Sequence, residues 1–395
     1  NGESAGELTV TGNSTLSPIT LTVVGSTVEG PEGLNVTTNV LDHKVVYENG
    51  VYKVVAKVYV AQVGEVKYES VNEAINSADD GATVQLLPGT IEEYVYPWPE
   101  SNHSKEKSIT IVGSKDDEGN LTTTLTGGMY LGYDDSQCRE HNIVVKDVNF
   151  TGKGILVAGQ KNVVIENNKF SNITDCVAAP GSANENAISV IGKNINATVT
   201  GNVIDGTASA GINLRDTKTV NVSGNTVTNT VHNSITIQNN TTDTGDNVVI
   251  ENNTLSNWGT GVDGRAIRIA GGAEVNVNGN VMTKENAPEE FVKVTGSTTL
   301  DASANYWNGN SPLSGNYFLS DLAADPVSIL KSYYTDAAKS NLVQLSPSVA
   351  KIGTTYYQTI DAAIAAATEG CSIDLLADVE VSSTLSFSSN SAFDK

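Results

Sequence analysis

Asn213, Thr236, Arg268 and Lys293 hold one place, and Arg215 and Gln238 another, in a short recurring segment: "GINLRD", "SITIQN", "AIRIAG" and "FVKVTG". Apolar and polar residues alternate in each copy, so if Ile and Val point inward these six side chains point outward. Two outward rows follow: Leu156, Ser189, Asn213, Thr236, Arg268, Lys293, and beside it Ala158, Ile191, Arg215, Gln238, Ala270, Thr295. The polar part of these rows sets amides and a hydroxyl beside fixed positive charge, which suits the many hydroxyls of a sugar chain. The preceding connections bring Asp205, His232, Trp258, Asp263, Arg265, Glu289 and Glu290 toward the same face. Trp258 is expected to supply an apolar edge for a sugar ring. Asp263 with Glu289 or Glu290 is the best carboxylate pair for glycoside hydrolysis, which takes spacings of roughly 5–5.5 Å for retention or 6.5–9.5 Å for inversion. The plain alternative is a solvated strand face, on which Thr, Asn, Lys and Arg are expected anyway.

The elements that would hold these residues repeat. "NVVIENNKFSN" from Asn162 returns as "NVVIENNTLSN" from Asn247, with weaker echoes in "TVNVSGNTVTN" and "EVNVNGNVMTK". Each echo ends on an apolar residue: Phe150, Phe170, Ile204, Val227, Leu255, Met282 and Trp307. Five residues earlier stand Val145, Ile165, Val199, Val222, Ile250, Val277 and Ala302, and two before those Ile143, Val163, Ala197, Val220, Val248, Val275 and Leu300. The period of two means strands. One repeat reads as a strand, a corner, a second strand and a variable loop. Coils of roughly 20–34 residues that bury their apolar faces only by stacking form a solenoid, and with strands that solenoid is a parallel β-helix. Two residues before each terminal apolar position lies Asn168, Asn202, Asn225, Asn253, Asn280 or Asn305, with Val148 in the first coil. Stacked at one corner, these amides should bond from rung to rung, a structural duty.

Composition excludes several functions. Across 395 residues the net charge is -22 and no Lys/Arg cluster occurs, which excludes a phosphate-tracking nucleic-acid surface. No apolar run reaches the roughly 18 residues of a membrane span. Cys138, Cys176 and Cys371 fit neither a disulfide framework nor a metal motif, although Cys138 and Cys176 would bridge if their loops met. "DDSQCREH" gathers Asp135, Cys138, Arg139, Glu140 and His141, either as a nucleophile or metal site or as an exposed charged loop. "DDEGN" at Asp116 has the composition of a weak Ca2+-binding turn or of an ordinary one; no other cofactor is expected.

A solenoid needs its open ends covered. In "YESVNEAINSADDGATVQLLPGT", Ser70 and Glu73 read as a capping box, with Val71, Ala74, Ile75 and Ala78 as the buried stripe of a capping helix. The same pattern returns 289 positions later: Tyr68 matches Tyr357, Ile75 matches Ile364, and Leu86 matches Leu375. The expected organisation is a β-rich tail of a preceding module (1–65), a parallel β-helix (66–336), and a linker with the start of a second cap (337–395). Neighbouring modules of one longer polypeptide would then be partners.

With these features the segment 66–336 resembles the pectate-lyase-like right-handed parallel β-helix superfamily. "ANYWNGNSP" from Ala304, followed by "SYYTDAA", is similar to the closing segment of many secreted bacterial β-helix proteins. The cap and its echo look like modules of large surface proteins of Gram-positive bacteria. The resemblance implies an all-β, right-handed solenoid with an N-terminal capping helix, placed outside the cell or on its surface. It implies several activities at once: lyases, hydrolases, adhesins and passive stalks. For polyuronide elimination it implies an Arg or Lys base, so Arg268, Arg215 and Lys293 beside Asp263 are candidates. The pectate-lyase "WIDH" motif is absent, and "NITD" at Asn172 matches a polygalacturonase motif only superficially. The expectation is an exported module presenting a rigid face to carbohydrate, with a polysaccharide-degrading enzyme or a passive spacer as alternatives.

Overall fold

A computed structural model of the chain describes residues 20–22, 27–29, 32–33, 35–99, 102–132, 138–175, 186–239, 247–261, 264–285, 290–313, 317–368 and 370–378. They fall into two units, Asn1–Tyr59 and Val60–Lys395. In the first, Val51–Ala56 pairs antiparallel with Thr27–Glu29 and His43–Glu48, and Thr20–Thr22 pairs parallel with Asn35–Thr37. In the second unit Ala61 pairs with Leu86, so strand Ala61–Val63 joins the end of the solenoid.

The second unit is a parallel β-helix. Its rows match the alternation: Ile143, Val163, Ala197, Val220, Val248 and Val275 are rung neighbours. So are Val145, Ile165, Val199, Val222, Ile250 and Val277. All of them are buried. The inward pairs of the second strand, Ile212/Leu214, Ile235/Ile237, Ile267/Ile269 and Val292/Val294, are buried as well, which fixes the phase of the outward rows.

The strands divide differently from the repeat pattern: a second strand and the first strand that follows it run on as one in Ile188–Thr200, Ile212–Ser223 and Ile267–Asn278. The terminal apolar residues occupy a separate short strand, as in Val203–Thr207, Thr226–Thr230 and Thr254–Ser256. Phe150, Phe170, Ile204, Val227, Leu255, Met282 and Trp307 pair rung to rung in this third face. The corner that creates it has a physical cause. Asp147, Asn167, Gly201, Gly224, Asn252, Gly279 and Ala304 all take positive φ, and the next residue turns its side chain inward. Asn, Asp and Gly tolerate this left-handed conformation; alanine does not. Ala304, with φ 55, is therefore strained. Ala304→Gly should raise stability by about 0.5–1 kcal/mol, read from a denaturant midpoint. Gly279→Ala should lower it, because the new Cβ would lie 2.6 Å from Asn252 Oδ1. A loss on Ala304→Gly would contradict this reading of the corner.

The inward residue is the asparagine. Asn202 N donates to Asn225 Oδ1 at 3.0 Å, Asn225 N to Asn253 Oδ1 at 2.9 Å, and Asn253 N to Asn280 Oδ1 at 3.0 Å. Each Nδ2 donates to the next Oδ1 and back to a carbonyl of the previous coil, such as Asn225 to Val199 O at 2.8 Å. The column satisfies buried backbone that the turn would otherwise orphan.

The cap helix is Val71–Ser77, and Val71, Ala74, Ile75 and Ala78 are buried against the first coil. Ser70 Oγ accepts from Glu73 N at 3.2 Å, but the carboxylate on the helix N-terminus is that of Glu93. Its oxygens accept from Val71 N at 2.6 Å, Asn72 N at 3.2 Å, Asn72 Nδ2 at 2.7 Å and Ser70 Oγ at 2.6 Å. The free N–H groups and positive end of the helix favour an anion wherever the chain can bring one. The second cap repeats this geometry: Thr359 accepts from Ala362 N ahead of helix Ile360–Ala366, and Ala350 pairs with Tyr357 and Leu375 as Ala61 does with Tyr68 and Leu86. Leu86 is fully buried whereas Leu375 is 57% exposed.

Candidate functional site

Strands Ile212–Ser223, Ile235–Gln238 and Ile267–Asn278 carry the centre of the outward face. In register, Asn213 neighbours Thr236, Thr236 neighbours Arg268, and Arg268 neighbours Lys293. Rungs of a sheet lie about 4.8 Å apart, so consecutive side chains can contact one extended ligand. An open groove of about 190 Å³ lies here, lined by Asn213, Thr236, Gln238 and Arg268, with Asn186, Ser209, Ala210, His232 and Asn233 along its rim.

Two asparagines hold the rim. Asn233 donates through Nδ2 to Thr236 Oγ1 at 3.0 Å and accepts from Arg265 N through Oδ1 at 2.8 Å. Asn186 repeats the arrangement one coil pair earlier, donating to Ser189 Oγ at 3.2 Å and accepting from Ala210 N at 2.9 Å. Their signal is legible in hindsight: "NAIS" and "NSIT" set Asn three residues before an outward hydroxyl. Between them Asn213 Oδ1 is shielded and accepts no hydrogen bond. The chain on the rim is pinned, since His232 N donates to Ser209 O at 3.2 Å and His232 O accepts from Gly259 N at 2.9 Å.

The other predicted residues divide. Arg215 sits beside Gln238 in register and leans on Asp216 at 3.8 Å. Arg265 turns to Glu290, with Nε 2.6 Å from Oε2. Asp263 and Glu289 lie outside the described residues. Trp258 is a correction. It is fully buried, edge-on to Phe291 with centroids 4.8 Å apart, and offers no face to a ligand. Its place, three residues past Leu255, matches Ile173, Thr207 and Thr230, which form a further buried row on the third strand face. That row was invisible because the third strand was. Nor is the face open throughout: Leu156, Ala158 and Ile191 are buried with Tyr130 in a small outer cluster, against which Tyr96 packs. Tyr96 stacks on Tyr130 with centroids 4.9 Å apart, so the aromatic part of this face lies at its N-terminal end.

Of the charged loop, Asp135 lies outside the described residues, as does Cys176. Arg139 Nε lies 3.3 Å from the buried carboxylate of Glu106, to which Gln160 Nε2 donates at 2.7 Å. Burial raises the Glu106 pKa, an effect partly offset by Gln160 and then Arg139. Cys138 and Cys371 are not in disulfides. Burial, then Glu140, raises the Cys138 thiol pKa, opposite to an activated nucleophile. Asp116 spends its carboxylate within its own turn, on Asn120 N at 2.7 Å and Asn120 Nδ2 at 3.0 Å. A larger cavity of about 530 Å³ lies at the C-terminal end, lined by Leu313, Phe318, Leu322, Ile329, Leu330 and Tyr356. Ser320, Lys351 and Thr354 also line it, so polar and apolar groups share its wall.

Residues 132–318 match the family model of the right handed beta helix region. The match spans the whole groove and is consistent with the pectate-lyase-like superfamily. No curated protein and no solved structure matches the chain. Among the described residues no helix is long and apolar enough to cross a membrane.

Proposed function

We propose that this β-helix binds carbohydrate through the outward face centred on Asn213, Thr236, Gln238 and Arg268, as an adhesive module of an exported or surface-attached protein. One observation carries the reading. Four consecutive coils line the groove with amides, hydroxyls, an imidazole and a guanidinium, and, among the described residues, with no carboxylate, on a chain of net charge -22. Amides and hydroxyls both donate and accept, as sugar hydroxyls do, whereas an apolar ligand would leave them unpaired. An open groove on stacked rungs suits a polymer lying across it better than a small molecule that must be enclosed.

The test is a glycan array followed by calorimetry on the best ligand. Asn213→Ala with Thr236→Val should weaken binding roughly tenfold, the loss of one or two hydrogen bonds. Thr200→Ala with Ser223→Ala, on the first-strand face, should leave it unchanged. Equal effects of the two pairs would move the site off this face. Release of reducing ends or unsaturated products from the ligand would mark an enzyme instead.

A further inference from the structure

In the knot that joins Glu106, Arg139 and Gln160, two buried acceptors have no donor: Glu106 Oε1 and Gln160 Oε1. Glu106 Oε2 receives both bonds on offer, from Gln160 Nε2 at 2.7 Å and from the side of Arg139 Nε at 3.3 Å. Gln160 Nε2 also donates to Ala158 O at 3.2 Å, which settles which end of the amide is nitrogen. The Glu106 side chain is 1% exposed and Gln160 is fully buried, so bulk solvent serves neither orphan. Two unserved acceptors in a buried network are costly. Nor is the carboxylate gripped as a full ion pair. A guanidinium held for charge takes both oxygens in its fork, yet Arg139 Nη1 has no partner and Oε1 is left to Gln160.

What the two acceptors lack is one hydrogen between them. An ionised carboxylate has none to give, whereas a protonated one donates through its O–H. A carboxyl and a primary amide pair through two bonds, N–H to one oxygen and O–H to the other, and the first of these is already made. We infer that Glu106 Oε1 takes a proton from solvent and donates it to Gln160 Oε1, forming a proton-operated latch. It fastens the connector that follows the cap helix. Asn76 Nδ2 donates to Pro97 O at 3.3 Å, and Lys107 Nζ donates to Ala78 O at 2.6 Å, so the connector already grips the end of helix Val71–Ser77. Glu106 ties its other side to strands Arg139–Lys146 and Gln160–Glu166. Burial opposes ionisation of Glu106 more strongly than Gln160, Arg139, His141 and His103 favour it. Lys161, on the strand of Gln160, is paired with Glu140. A carboxyl whose pKa is raised on folding contributes fully below its unfolded value of about 4.3 and loses that contribution as pH rises through the folded one. The latch is therefore closed in acid and slackens toward neutral pH.

Amide hydrogen exchange at about pH 4.5 and about pH 7.5, corrected for the intrinsic pH dependence of exchange, reads the latch. Lys105 N donates to Asn102 O at 2.8 Å and Glu106 N to His103 O at 3.1 Å, so both amides report the connector. In wild-type protein their protection should fall roughly tenfold or more from the lower to the higher pH, the effect of about one unit of pKa displacement. The amides of Asn202 and Asn225 should keep theirs. In Glu106→Gln the amide nitrogen stands in for the protonated oxygen, so protection should be high and equal at both pH values. His103→Asn with His141→Asn should preserve the fall. Equal protection in wild-type protein, a fall that survives Glu106→Gln, or one that disappears with the histidines would overturn the latch. The NMR shift of the Glu106 carboxyl carbon needs no variant: its midpoint should lie above about 4.3, and a midpoint at or below that value would contradict the proton site.

Discussion

Ile250→Asp is expected to abolish cooperative folding of the solenoid. Ile250 is fully buried, with Val222 on the rung before it and Val277 on the rung after. A carboxylate there has no cation and no hydrogen-bond donor, and burying it unpaired costs several kcal/mol, comparable to the whole stability of a domain at about 5–15 kcal/mol. The coil cannot turn the side chain outward, because a one-residue slip would also expel Val248 and break the asparagine corner at Asn253. Ile250→Val, by contrast, should cost about 1 kcal/mol. Circular dichroism melts of the two variants check this; a cooperative transition near the wild-type temperature for Ile250→Asp would overturn the register.

The second large effect lies at the corner. Asn225 accepts from Asn202 N and Nδ2 through Oδ1, and donates to Asn253 Oδ1 and Val199 O through Nδ2. Asn225→Ala strands the Asn202 N–H and the Val199 carbonyl, both buried, and should cost about 3 kcal/mol. Asn225→Asp is near-isosteric yet should be worse at neutral pH. It keeps the acceptor and replaces the donor by a second oxygen facing three acceptors, Val199 O, Ser223 O and Asn253 Oδ1, in a position with almost no solvent contact. The new carboxyl must have a folded-state pKa above its unfolded value of about 3.9. A group raised on folding contributes most below its unfolded pKa and loses that contribution as pH rises through the folded one. Melts of this variant should therefore approach the alanine variant near pH 3.5 and fall below it at pH 7. A gap that is flat with pH would contradict the hydrogen-bond assignment.

The sequence was most informative where geometry forces one residue type at one place. Alternation located the inward rows, since a strand shows every second side chain to one face. The asparagine column was legible because only a short amide can bond both along the column and back to the turn. What stayed hidden was the third strand. The alternation marks only one inward residue per copy on it, and one point gives no period. Trp258 was placed outside for that reason, although its spacing from Leu255 equals that of Thr230 from Val227. Glu93 was missed for a different cause. It caps a helix some twenty residues earlier in the chain, a contact made by the coil's closure and not by helical spacing. The rim asparagines Asn186 and Asn233 were legible only as a motif relative to strands whose phase was already known.

The central claim is that carbohydrate lies on the second-strand face. Side-chain NMR signals report it most directly, because amide and guanidinium groups from the groove and from the corner can be watched in one titration. With a bound oligosaccharide from the array, the account predicts shifts at Asn213, Asn233, Gln238 and Arg268 Nε, and none at Asn225, Asn253 or Asn280. Shifts confined to the first-strand face, to the C-terminal cavity near Phe318, or to Arg139 and Gln160 would contradict it.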